Sequence, residues 1–148
     1  MDTEIIENHK RYLDRIRLYK SFDYDVEKNR KFIFEIAQPI YGEILEVGTG
    51  KGYMTLLLAK EGYRLISIDI SEEEQKLAKL NLKYFGVDGK VNFKIENAEN
   101  LSFPDKSFDF IISVNTIHHM EKPLKVMNEL IRVLTFPGTI VLGDFTEK

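Results

Sequence analysis

Residues 43–55 read Glu43-Ile44-Leu45-Glu46-Val47-Gly48-Thr49-Gly50-Lys51-Gly52-Tyr53-Met54-Thr55, and the fold follows from how this stretch is parsed. Ile44, Leu45 and Val47 form a short apolar run with β-branched members, which reads as a strand. Gly48, Gly50 and Gly52 come next, at two-residue spacing, and a helical pattern begins behind them. Glycine tolerates positive φ and leaves the backbone bare, while the first N–H groups of a helix lack partners within it. A strand feeding such a turn predicts a ligand seated on main chain at the helix N-terminus.

Spacing separates the families that share this device. The dinucleotide fingerprint G-x-G-x-x-G places its third glycine where Tyr53 stands, and the phosphate loop G-x-x-x-x-G-K-[ST] does not allow Gly52 after Lys51.

Outward from the turn the chain alternates. Strands are expected over 41–47, 64–70, 90–95, 107–114 and 139–145, and helices over 52–60, 72–85 and 123–134. That order predicts an α/β fold with a parallel sheet and helices on both faces. Two amphipathic helices, over 3–20 and about 26–37, precede it, the second capped by Asp25 and stopped before Pro39. Ser71 with Glu74 forms a capping box, and Pro123 suits a first helical turn. Val91 to Ile95 alternates apolar with polar and is expected at a sheet edge, whereas Phe110 to Ile112 and Ile140 to Leu142 are unbroken and expected to be covered on both sides.

The 148 residues are expected to form a single domain, with 1–38 as a helical cap or lid and 41–145 as the core. A net charge of -3 gives no strong nucleic-acid signal, because phosphate binding rests on clustered Lys and Arg. The absence of cysteine excludes a disulfide framework, a thiolate metal site and a Cys nucleophile. No His, Asp and Glu cluster has metal-ligand spacing, so no metal is expected. No apolar run approaches a membrane span and the N-terminus is charged, so the cytoplasm is the expected setting.

Asp69 ends the second strand, where a carboxylate can accept both hydroxyls of a ribose. The alternative is a helix-capping Asp, a role that Ser71 already fills.

Together these stretches resemble the class I S-adenosylmethionine-dependent methyltransferases. Glu46 to Gly52 is similar to that family's motif I, E/D-x-G-x-G-x-G. Glu96-Asn97-Ala98-Glu99-Asn100-Leu101-Ser102-Phe103 resembles G-D-A-x-x-L-P-F, with Asn97 in place of the usual Asp. Ser107 to His119 looks like F-D-x-V-x-x-x-x-x-L-H-H. The likeness runs from about Tyr41 to Asp144, and is nearest to small-molecule enzymes acting on quinones and related metabolites. The N-P-P-Y motif of amide and adenine N-methyltransferases is absent.

The resemblance implies a Rossmann-like three-layer sandwich with strand order 3-2-1-4-5, here without the family's usual C-terminal antiparallel hairpin. It implies S-adenosyl-L-methionine as cofactor, S-adenosyl-L-homocysteine as product and a small-molecule acceptor methylated on O, N or C. Glu46 would anchor the cofactor's amino-acid end, with Gly48, Thr49, Gly50, Gly52 and Tyr53 around it. Asp69 would hold the ribose and Ile70 lie against adenine. Asn97 would accept from the adenine amino group without a carboxylate's charge, and Ala98 would offer its N–H. Ser113 to Asn115 would point at the methyl.

Three alternatives stay open at this level. His118 and His119 are candidates for a general base, or pack and support the pocket. Tyr12, Tyr19, Phe22 and Tyr24 are a candidate acceptor lid, or ordinary packing. The chain is a transferase, a cofactor-binding module without activity of its own, or a nucleotide-dependent oxidoreductase. With no hairpin, the strand at 139–145 would have an open edge, and a homodimer or partner chain is expected to cover it.

Overall fold

The computed structural model describes residues 1–143, with the side chain of His118 outside that description. Helix α1 (Thr3–Ser21) starts on Asp2, whose side chain accepts from the Glu4 N–H, and α2 (Val26–Ala37) starts on Asp25, which accepts from Lys28. The alternating part follows as β1 (Ile44–Val47), α3 (Tyr53–Lys60), β2 (Leu65–Asp69), α4 (Glu72–Tyr84), β3 (Val91–Ile95), β4 (Phe108–Val114), α5 (Pro123–Val133) and β5 (Leu134–Gly143). Short 3-10 turns at Asp88–Lys90 and Ile117–His119 complete it.

The five strands lie in the order β3-β2-β1-β4-β5, and every neighbouring pair is parallel. The order reverses between β1 and β4, so the chain leaves the carboxyl ends of these strands in opposite directions and opens a crevice there. On one face Leu45, Val47, Ile68 and Ile111 pack against Val126, Leu130 and Val133 of α5. On the other, Ile44, Leu65, Phe110 and Ile112 meet Ala37 of α2 and Met54 and Leu58 of α3. Burying a side chain such as Leu45 or Phe110 completely is worth roughly 1.5–3 kcal/mol, and both are at 0 % exposure.

Helix α1 seals the flank of α3 and α4. Tyr12 packs with Leu56, Ala59 and Leu82, and His9 stacks on Tyr84 at 3.5 Å between ring centroids. Asn8 Nδ2 donates to Asn81 Oδ1 at 2.8 Å, and Asn81 Nδ2 donates to the Lys51 carbonyl at 2.9 Å. A buried amide pair thus ties α1 through α4 to the glycine turn.

Two sequence expectations are corrected. Ile140 to Leu142 are not covered on both sides: β5 lies at the sheet edge, as the expected strand order has it, but Ile140 and Val141 are only half-buried and Leu142 is 49 % exposed. An unbroken apolar run therefore marks a strand whose two faces pack partly while its outer edge has no strand beside it among the described residues. The strand also begins at Leu134 rather than 139, while residues 144 and 145 lie outside the described residues. Phe108 pairs with Leu134 and Phe110 with Thr139, so Thr135 to Gly138 stand opposite Asp109 alone. Asp109 fastens this bulge, accepting from Thr135 Oγ1 at 3.2 Å and from the Glu43 N–H at 2.8 Å.

Candidate cofactor site

All three glycines of the turn have positive φ, +90° at Gly48, +55° at Gly50 and +87° at Gly52, but they serve different ends. At Gly52 a Cβ would lie 2.8 Å from the Ala78 Cβ, so this glycine lets α3 begin hard against α4. At Gly50 a Cβ would meet nothing within 4 Å; this position faces open space. The Gly50 N–H donates to Asp69 Oδ2 at 2.8 Å, and the Ser71 N–H to Asp69 Oδ1 at 2.8 Å. One carboxylate thereby clamps the turn after β1 to the start of α4.

Ser71 caps α4 through Oγ, which accepts from the Glu74 N–H at 3.2 Å. The reciprocal half of the capping box does not form, because Asp69 takes the Ser71 N–H and Glu74 pairs with Lys51 Nζ at 3.3 Å.

Under the turn lies a buried polar chain. Ser67 Oγ donates to Glu46 Oε1 at 2.6 Å, and Thr55 Oγ1 donates to the same oxygen. With the Ser67 proton committed, Thr49 Oγ1 is the donor in its 2.6 Å bond to Ser67 and accepts from Gln75 Nε2 at 3.2 Å. Gln75 Nε2 also reaches the carbonyls of Ser67 and Lys94, at 3.3 and 3.0 Å. Burial raises the Glu46 carboxyl from 4.5 to about 7, against the opposing pull of the Ser67 and Thr55 hydroxyls and the Arg30 charge.

Two cavities meet above Gly48. The larger, about 700 Å³, is walled by Glu46, Gly48, Thr49, Gly50, Lys51, Tyr53 and Met54, by Tyr19, Tyr24, Val26 and Arg30 of the N-terminal segment, and by Asn115. The smaller, about 270 Å³, is walled by Asp69, Ile70, Asn97 and Ala98. Gly48, Thr116 and His119 line both. The Thr116 side chain rests on Gly48, where a Cβ would come within 2.1 Å of its Oγ1.

Most of the sequence-predicted residues converge here. Ile70 stands at the rim, 70 % exposed, and Asn115 turns the chain with φ +55°. Asn97 Oδ1 accepts from the Glu99 N–H at 2.9 Å, so its first task is to shape its own loop. Ser113 is buried and ties β4 to β1, its Oγ donating to the Val47 carbonyl at 2.8 Å; it lines neither cavity, and nor does Gly52. His119 borders both cavities, and the side chain of His118 lies outside the described residues. Of the aromatic lid candidates, Tyr19 and Tyr24 line the larger cavity, Tyr12 is core and Phe22 is 77 % exposed.

Sequence reasoning did not pick out Arg30, Thr116 or Gln75. Arg30 and Gln75 are polar residues within helices, and only the fold turns Arg30 to the larger cavity and buries Gln75 beneath the glycine turn. Thr116 had a signal, since it directly follows the strand end that was expected to face the reactive group.

An open parallel sheet with a glycine turn after β1 and an acidic end on β2 defines a cofactor-binding α/β protein of the nucleoside-recognising class. The methyltransferase domain family matches residues 45–142, and the chain belongs to it. The cofactor of that family is S-adenosylmethionine. The chain is 29 % identical over 133 residues to ajmaline N-methyltransferase from Rauvolfia serpentina, covering 89 % of this chain and 42 % of that enzyme. It is 34 % identical over 106 residues to 2-methyl-6-phytyl-1,4-hydroquinone methyltransferase from Synechocystis, covering 71 % of this chain and 32 % of that protein. The chain thus spans less than half the length of either relative. Among solved structures, that of YcgJ from Bacillus subtilis superposes with a TM-score of 0.70 at 29 % identity, covering 78 % of this chain and 49 % of that one. Among the described residues no helix is long and apolar enough to cross a membrane, and no group of three or more His, Asp or Glu side chains could hold a metal.

Proposed function

We propose that this chain binds S-adenosyl-L-methionine across the two cavities and transfers its methyl group to O, N or C of a small-molecule acceptor by direct displacement. The observation that carries this reading is the Asp69 clamp on Gly50, which ties a wall of the smaller cavity to a wall of the larger at the carboxyl ends of β1 and β2. Each Asp69 oxygen has a lone pair left after its backbone bond, which suits the two hydroxyls of a ribose. Ile70, Asn97 and Ala98 in the smaller cavity match a purine, and Glu46 in the larger one matches an ammonium.

When bound, the cofactor supplies a methyl group activated on a sulfonium. The chain's own residues then have to orient and exclude water rather than perform covalent chemistry, and orientation alone is worth up to ~7–11 kcal/mol. Tyr19, Tyr24 and His119 line the larger cavity, and an acceptor would be held against them. The relatives' names, an alkaloid N-methyltransferase and a hydroquinone methyltransferase, support a small organic acceptor.

Calorimetric titration with S-adenosylmethionine, S-adenosylhomocysteine and NAD tests the reading, followed by a labelled-methyl screen over phenols, quinols and amines. Binding of the first two with labelled product is the expected result. Binding without turnover would leave a cofactor-binding module, and tight binding of NAD alone would overturn the assignment.

A further inference from the structure

The larger cavity is walled by two cations, and only one of them has a carboxylate within ion-pair distance; the charge of the other, Arg30, reaches Glu46 from farther off. Lys51 Nζ pairs with Glu74 at 3.3 Å. Arg30, on α2, forms no ion pair with any described carboxylate. Its Nη1 donates to Tyr24 Oη at 2.7 Å and to Asn29 Oδ1 at 2.5 Å, both neutral acceptors. Its Nε and Nη2 donate to nothing among the described residues. The guanidinium is therefore held in place at one nitrogen, 5.9 Å over the Tyr53 ring, with the rest of its fork uncommitted. A guanidinium fork matches the two oxygens of a carboxylate, and fixing it in advance lowers the entropy lost on binding.

What lies across the cavity identifies the ligand group. Glu46, at the end of β1, uses Oε1 for both hydroxyl bonds, and its second oxygen accepts no hydrogen bond from the described residues. An uncommitted cation and a carboxyl thus line one cavity from different elements. With Glu46 ionised and the Lys51–Glu74 pair beside them the wall is electrically balanced, which suits a zwitterion better than a phosphate or other polyanion.

Building on the cofactor reading above, we propose that Arg30 receives the carboxylate of the cofactor's amino-acid end while Glu46 receives its ammonium. The N-terminal helices then grip the cofactor as well as roofing the acceptor. This assigns Arg30 a binding role that no motif of the glycine turn supplies.

Three ligands separate the contributions: S-adenosylhomocysteine, its decarboxylated analogue, which keeps the amine, and 5′-methylthioadenosine, which lacks both groups. Each is titrated calorimetrically into wild type, Arg30→Gln and Arg30→Lys. Arg30→Gln is expected to weaken S-adenosylhomocysteine by roughly 10- to 100-fold, and the other two ligands by less than about threefold. Arg30→Lys, which keeps the charge and loses the fork, should fall between. Methylthioadenosine serves as the folding control. An unchanged affinity for S-adenosylhomocysteine in Arg30→Gln, or equal losses for all three ligands, would overturn the proposal. Wild type that binds none of the three would refute the cofactor reading itself, a separate outcome.

Discussion

Replacing Glu46 by Gln isolates the energetics of a carboxyl buried beneath the glycine turn. The side chain is 2 % exposed, and burial raises its carboxyl from 4.5 to about 7. Between those values the folded chain keeps a proton that the unfolded chain has released, so this group's contribution to stability falls as pH rises. It is complete below 4.5 and lost once the pH has passed about 7. The gap corresponds to roughly 3 kcal/mol, at 1.36 kcal/mol per pH unit. Gln keeps an oxygen for the Ser67 and Thr55 hydroxyls and does not titrate. Urea unfolding of both proteins from about pH 4.5 to about pH 8 reads the difference directly. The stability of Glu46→Gln relative to wild type should rise by about 3 kcal/mol across that range. Parallel profiles would refute the burial argument. S-adenosylhomocysteine sharpens the test: an ammonium seated on Glu46 favours the carboxylate, so wild-type affinity should fall about tenfold per pH unit below 7, while that of Glu46→Gln stays flat.

Gly52→Ala and Gly50→Ala should separate packing from ligand access. The first meets Ala78 at 2.8 Å as well as a φ of +87°, and should cost more in thermal stability. The second carries only the left-handed backbone cost of roughly 1–2 kcal/mol and should lose more affinity for S-adenosylhomocysteine; the reverse order would contradict the division of roles. Asp69→Ala removes the acceptor of both the Gly50 and Ser71 N–H groups. It should weaken S-adenosylhomocysteine at least about tenfold, and wild-type affinity in calorimetry would end the ribose assignment. His119→Ala should change the methyl-transfer rate by less than about tenfold, whereas a loss of about 10²–10⁴ would mark His119 as the general base.

The layout of the fold was legible because its signals are local. Asp25, Ser71 and Pro123 stand where the helices begin, and the alternation of Val91 to Ile95 matches its edge position in β3. The glycine turn and Asp69 were legible as a pair, since a strand end and a turn on neighbouring parallel strands have to meet. Long-range compensation was hidden. Nothing in the spacing says that Gln75 would bridge Thr49 to the Lys94 carbonyl or that Asp109 would hold a bulge in β5. The expected order rightly put β5 at the edge; Ile140 to Leu142 misled only about its faces, since an unbroken apolar run does not require both to be fully covered.

The wall shared by α2 and the glycine turn bears on protein engineering. Exchanging the first forty or so residues between relatives is a natural way to move acceptor preference from one enzyme to another. Here such a graft would also carry away Tyr24 and Arg30, so on the binding role proposed for Arg30 chimeras would change in cofactor affinity unless the arginine is kept in the scaffold.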